Sequence, residues 1–161
     1  CYANTQGCRE MPEVKVLLFD SQASKIRDVL EEFLNAEDVA EYEVISTEDP
    51  KVASELLSDV DVAIIELDLT KEAERWREDL PAPEEEYAGY KLLTYAKKNF
   101  PRVKVLILAS LAACAPEDVE AERQRALKKG ASGFLCKPLP VRALADEIMR
   151  LTRHVFKGEN R

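Results

Sequence analysis

Residues 61–68, DVAIIELD, form a short apolar run with an acid at its start and two at its end. A short, continuously apolar run is typical of a strand that is buried on both faces of a sheet. Here the run ends on two acids, Glu66 and Asp68, that flank Leu67. Four other segments have the same character and are also predicted to be strands: residues 14–19, 42–46, 103–109 and 132–136.

The segments between these strands have helical periodicity. After Ser24, five apolar residues recur at the spacing of one helix face, namely Ile26, Val29, Leu30, Phe33 and Leu34. The charged residues Lys25, Arg27, Asp28, Glu31 and Glu32 are expected on the other face. Asp49 and Pro50 predict a capped helix through residue 57, and further helices are expected over 88–99, 117–129 and 140–155.

Alternating strands and helices predict a doubly wound α/β domain with a five-stranded parallel sheet. The chain has 161 residues, 46% of them hydrophobic, which fits one domain. We expect this domain over residues 12–156, between a disordered arm or tag (1–11) and a tail (157–161).

The charge and the cysteines narrow the class of protein. A net charge of −8 argues against nucleic-acid binding, and no apolar stretch is long enough to span a membrane. The four cysteines form no C-x-x-C pair, and the one histidine, His154, gives them no ligand at metal spacing. A cytoplasmic protein fits best.

Polar residues follow the predicted strands at their carboxyl ends, where doubly wound domains bind ligands. They are Asp20, Glu66, Asp68, Ser110 and Lys137. Carboxylates suit Mg²⁺, and an ammonium and a hydroxyl can hold phosphoryl oxygens. This edge is therefore the predicted functional site.

Residues 129–138, KGASGFLCKP, resemble the Gly-Ala-x-x-aromatic-apolar-x-Lys-Pro signature of response regulator receiver domains. Residues 61–66 are similar to the family's segment leading to the phosphoacceptor, and 105–110 to the strand that carries its Thr or Ser. The resemblance covers residues 13–155. It implies a flavodoxin-like (βα)5 fold with strand order 2-1-3-4-5 and a role in two-component phosphorelay signal transduction.

The chain departs from the family's pattern at the site. Glu66 stands at the position of the phosphoacceptor aspartate, and Ser21 follows Asp20 where receivers have two adjacent acids. The resemblance implies roles at the acceptor site for Glu66, Ser110 and Lys137. It implies at most weak Mg²⁺ binding by Asp20, Glu66 and Asp68, and no required cofactor.

We therefore expect a pseudo-receiver that signals by binding and is not an enzyme, and a further hypothesis pairs Glu66 with Lys137 in a fixed "on" state. One alternative is a phosphorylatable receiver that uses Asp68 with Mg²⁺ and catalyses its own dephosphorylation. Another is a nucleotide-binding flavodoxin-like domain, although residues 20–24 lack the glycine that a phosphate-binding turn needs.

The resemblance also implies partners: a histidine kinase, a downstream effector, or a second copy bound through the last helix. The expected interaction face contains Phe134, where the family has its switch aromatic, with Arg142, Asp146 and Arg150. An insertion over 70–88 has seven acids, three bases and the only tryptophan, Trp76. It is either a solvated loop with a short helix at 71–79, or a lid or docking element.

Overall fold

A computed structural model of the chain describes residues 11–68, 88–110 and 116–156. Residues 1–10 of the predicted arm, residues 70–87 of the insertion including Trp76, and the tail lie outside the described residues. The elements, in chain order, are β1 (Glu13–Phe19), α1 (Ala23–Asn35), β2 (Glu41–Thr47), α2 (Pro50–Leu56), a 3-10 turn (Leu57–Asp59), β3 (Val62–Asp68), α3 (Ala88–Asn99), β4 (Lys104–Ser110), α4 (Pro116–Lys128), β5 (Gly133–Lys137) and α5 (Val141–Phe156).

The five described strands form one parallel sheet in the order β2-β1-β3-β4-β5. This confirms the predicted fold class and strand order. Parallel neighbours need crossover connections, and helices that cover both faces explain why β3 is apolar without alternation.

Alternate residues of each strand face two separate hydrophobic clusters. Leu17, Ile65 and Ile107 face the cluster under α2, α3 and α4. Ile64 and Leu108 face the cluster under α1 and α5. Since successive strand side chains point to opposite faces, Glu66 belongs to the α1/α5 side of β3.

The buried face of α1 is narrower than its periodicity predicts. Leu30 and Leu34 are buried, but Val29 is 43% exposed and Phe33 36% exposed. α1 contacts both β2 and α5, so the residues between these neighbours are covered and the flanking apolar positions stay outside. Glu31, expected on the polar face, turns inward, where its Oε2 accepts the N–H of Val44 at 2.8 Å.

Local signals explain the element boundaries. The Asp49 carboxylate caps α2 by accepting the N–H of Lys51 at 2.8 Å, as Asp49 and Pro50 predicted. β3 continues beyond its apolar run and ends at Asp68, so Glu66 is a strand residue. Within the described ranges, no helix is long and apolar enough to cross a membrane.

Candidate functional site

Four neighbouring strands bring the predicted site residues to one edge of the sheet. The pairing of Phe19 with Ile65 places Asp20, the next residue, beside Glu66. Ser110, at the end of β4, pairs with Asp68 on one side and with Lys137 on the other. The topology therefore joins residues that are far apart in the sequence.

The Glu66 carboxylate is the centre of this site. Its Oε2 accepts the backbone N–H of Ser21 at 2.8 Å. Its Oε1 accepts hydrogen bonds from Ser21 Oγ at 3.0 Å, Ser110 Oγ at 3.1 Å and Lys137 Nζ at 3.3 Å. Both oxygens are thus engaged, and the Glu66 side chain is only 14% exposed.

Asp20 is the buried member of the site. Its side chain is inaccessible to solvent, and Lys137 Nζ lies 2.7 Å from its Oδ2. Asp20 Oδ1 accepts the N–H of Gln22 at 2.7 Å, which orders the turn into α1. Oδ2 has no partner with hydrogen-bond geometry among the described residues, so the ammonium charge is what compensates its burial.

These contacts favour the charged forms of Glu66 and Lys137. Burial raises the pKa of Glu66, but hydrogen bonds from Ser21 and the charge of Lys137 outweigh burial, and the pKa lies below its ordinary value. Burial lowers the pKa of Lys137, but its contacts with Asp20 and Glu66 outweigh burial and raise the pKa above its ordinary value. At neutral pH the Lys137 ammonium therefore faces an ionised Glu66 carboxylate.

The described carboxylates do not fit a bound Mg²⁺ in this arrangement. The ion needs oxygen ligands at about 2.0–2.1 Å, whereas the cation already between Asp20 and Glu66 is Lys137 Nζ. No group of three acidic, histidine or cysteine side chains in the described segments is placed to hold a metal. No step at this site is therefore assigned to a metal.

Gly89, in the first turn of α3, lets that helix approach the site. A Cβ at this position would lie 2.7 Å from the backbone oxygen of Glu66, closer than real contacts allow. The glycine is needed for this close approach, and it fixes where α3 meets β3 behind the Glu66 side chain.

Solved structures of response regulators share this architecture. An orphan response regulator of H. pylori superposes with a TM-score of 0.61 at 17% identity, covering 86% of this chain and 95% of that one. The fold is that of a receiver domain. The signal receiver domain of a putative LuxO repressor from Vibrio parahaemolyticus gives 0.59 at 17% identity, covering 92% and 95%. A receiver domain protein from Clostridium thermocellum gives 0.57 at 21% identity, covering 88% and 95%.

Neither a family model nor a curated protein matches the sequence. The likeness to solved structures therefore concerns the receiver fold alone.

Ser21 was predicted only as a missing acid, yet it donates two hydrogen bonds to Glu66. The residue types suit this contact, since a hydroxyl follows Asp20 and the carboxylate at position 66 is one methylene longer than that of aspartate, but only the fold brings the two residues together. The backbone of Asp68 lies at the end of β3 and pairs in register with Ser110. The Asp68 side chain is not among the described parts of the structure.

The expected interaction face of the receiver fold needs one correction. Arg142, Asp146 and Arg150 are exposed on α5, and Arg150 forms an ion pair with Glu147. Phe134 is only 4% exposed and packs in the cluster under α4, with the Arg123 guanidinium 5.7 Å from its ring centroid. Since β5 is covered by α4 on this face, the phenylalanine belongs to the core in this structure.

Proposed function

We propose that this chain is an atypical receiver domain in two-component signalling that acts by binding a protein partner, without phosphorylation and without a metal. The observation that carries this proposal is the closed set of contacts around Glu66. Both of its oxygens accept hydrogen bonds, and Lys137 also contacts the second carboxylate, Asp20. Phosphoryl transfer to Glu66 would require breaking these contacts and admitting a metal.

Glu66 takes over part of the role of a phosphoryl group in this proposal. In the receiver family, the residues at the positions of Ser110 and Lys137 contact the phosphoryl group, and here both contact Glu66 directly. The carboxylate carries one negative charge where a phosphoryl group carries about two, so the imitation is partial. This arrangement gives the domain a single permanent state in which Ser110 and Lys137 both stay hydrogen-bonded to Glu66.

The partner is a signalling protein, a histidine kinase or a downstream effector in family terms. The exposed part of α5, with Arg142, Asp146 and Arg150, supports a polar contact surface for it or for a second copy of the domain. A domain of this kind has no catalytic activity of its own.

A second candidate function uses Asp68 as a phosphoacceptor with Mg²⁺. The observation that favours it is the register, which aligns Asp68 with Ser110 and Ser110 with Lys137. In that case Glu66 would have to release Lys137 before the phosphoryl group could bind.

Thermal unfolding with Mg²⁺ and beryllofluoride, an analogue of the phosphoryl group, separates the two candidates. A ligand that binds only the native state raises Tm. We expect no change in Tm for the wild type and a Mg²⁺-dependent increase for the Ser21→Asp/Glu66→Asp variant, which restores the family's acids. An increase in the wild type that is lost in Asp68→Asn would favour the second candidate.

A further inference from the structure

At the edge of the sheet opposite the Glu66 site, the part around the starts of β4 and β5 is rich in cations. α3, α4 and α5 end there, because each helix runs antiparallel to the strands. Residues 97–104, 125–132 and 151–156 contain no aspartate or glutamate, although the whole chain has a net charge of −8. They contain eight lysines and arginines: Lys97, Lys98, Arg102, Lys104, Arg125, Lys128, Lys129 and Arg153.

Five of these cations form what we call the amino-edge patch: Lys97, Lys98, Arg102, Lys104 and Lys128. None of them makes an ion pair with a carboxylate of residues 11–68, 88–110 or 116–156. The Lys97 ammonium donates to the backbone oxygen of Val103 at 3.1 Å. Burial and the nearby charge of Lys104 lower the pKa of Lys97, as expected for cations held close together.

Helix capping explains only part of this patch. Cations in the last turn of a helix interact favourably with its dipole, which accounts for Lys97, Lys98 and Lys128. Arg102 lies in the loop after α3, and Lys104 is the first residue of β4, so neither completes a helix. Both side chains are exposed, and neither forms an ion pair with a carboxylate of the described residues.

A cavity of about 380 Å³ opens beside the patch. Leu57, Val60 and Phe100 give it an apolar lining, while Arg102 and His154 add cationic and titratable groups. Asp61 also lines it, with Oδ2 accepting the N–H of Lys15 at 2.9 Å. The space is large enough for one apolar side chain, and the lysines of the patch lie outside it.

The positive surface ends a short distance away. The adjacent cavity, towards β1, is lined by Glu13, Asp59 and Asp61 together with Lys15. A long polyanion such as a nucleic acid would extend beyond the cations and approach these acids, which would repel it. A short acidic peptide fits this boundary because its charges can be confined to the basic side.

We propose that the amino-edge patch and its cavity bind a short acidic peptide segment of a protein partner, with an apolar side chain in the cavity. The inference rests on the proposed function in one respect, that the domain acts by binding. It does not depend on Glu66 or on phosphorylation, and it places a partner at the C-terminal end of α5, away from Arg142, Asp146 and Arg150.

Fluorescence anisotropy with a labelled synthetic peptide, Leu flanked on each side by four Glu, tests the proposal. We expect the wild type to bind it at low salt and Lys98→Glu/Arg102→Glu/Lys104→Glu to bind it about tenfold more weakly. The matched control reverses three exposed cations elsewhere: Lys25→Glu/Lys51→Glu/Lys91→Glu. It changes the net charge by as much as the amino-edge variant does, but its three cations lie in the first turns of α1, α2 and α3, at the other edge of the sheet, so it should bind within about twofold of the wild type.

The role of the cavity is tested with a second peptide in which Ser replaces Leu, which should bind the wild type about threefold more weakly. Equal losses in the two triple variants, or no binding by the wild type, would overturn the proposal. So would tighter binding of oligothymidylate that is lost in the amino-edge variant, since the surface would then be a nucleic-acid site. No phosphoryl donor or Mg²⁺ is present, so failure here leaves the account of Glu66 intact.

Discussion

At the scale of single residues, one methylene group changes the chemistry of the site. Glutamate extends its carboxylate further from the strand than aspartate does, and at position 66 it reaches Ser21, Ser110 and Lys137 together. Hydrogen bonds to charged groups are stronger than those between neutral groups. Occupation of Glu66 by its own neighbours is therefore a stable arrangement.

Replacing Glu66 with glutamine should destabilise the domain. Glu66→Gln keeps the shape but removes the charge that faces Lys137, and we expect the free energy of unfolding to fall by about 1–3 kcal/mol. Urea unfolding measures the change. The control is Asp28→Asn, whose carboxylate pairs with Arg27 but is 87% exposed, with an expected loss below about 0.5 kcal/mol. Equal losses in the two variants would contradict this prediction.

The contribution of Glu66 should also depend on pH. Because its pKa is lower in the folded state than in the unfolded state, its stabilising effect is complete above the unfolded pKa. The effect is lost as the pH falls through the folded pKa. The difference in unfolding free energy between wild type and Glu66→Gln should therefore shrink on acidification, and a difference that stays constant down to acid pH would be evidence against it.

At the scale of elements, α3 is joined to α4 by a buried polar contact. The Tyr90 hydroxyl donates to Glu122 Oε2 at 2.5 Å, and the two residues are 1% and 4% exposed. Glu122 also forms an ion pair with Arg125 at 3.2 Å. This contact helps to position α3, whose Gly89 packs against β3 at Glu66.

Tyr90→Phe should lower the free energy of unfolding by about 1.5–3 kcal/mol, because it removes a hydrogen bond to a buried charged group. Tyr95→Phe is the matched control: Tyr95 lies on the same helix and is 43% exposed, so a change near zero is expected. Chemical denaturation of both variants tests the pair. A Tyr90→Phe variant as stable as the wild type would show that the contact contributes little.

The elements were predictable from the sequence because each strand is a short apolar run and each helix a distinct period. The contacts between elements were less predictable from the sequence. The period of α1 placed Val29 and Phe33 with the buried residues, but only the position of β2 and α5 decides which edge of that face is covered. The burial of Glu122 could not be predicted either, because its carboxylate contacts Tyr90, which is 32 residues away in the sequence.

The same limit applies to the site. The carboxyl ends of the strands predicted where Asp20, Glu66, Ser110 and Lys137 would meet, because parallel strands end at one edge. The double hydrogen bond from Ser21 to Glu66 spans 45 residues and depends on how the turn after β1 faces β3. Sequence spacing does not contain that information.

At the scale of the whole molecule, charge is distributed unevenly along the chain. Residues 70–88 contribute a net charge of −4 to the total of −8, whereas residues 97–104 contain four cations and no acid. The amino-edge patch is thus a local excess of positive charge on an acidic chain. Association of an acidic partner with it should weaken as the ionic strength rises.

Intact-mass spectrometry after incubation with acetyl phosphate and Mg²⁺ tests whether this receiver fold acts without phosphorylation. A receiver that accepts phosphoryl groups under the same conditions serves as the positive control. We expect no change in the mass of the wild-type chain. A Mg²⁺-dependent gain of one phosphoryl group, lost in Asp68→Asn or in Glu66→Gln, would show instead that the domain is phosphorylated.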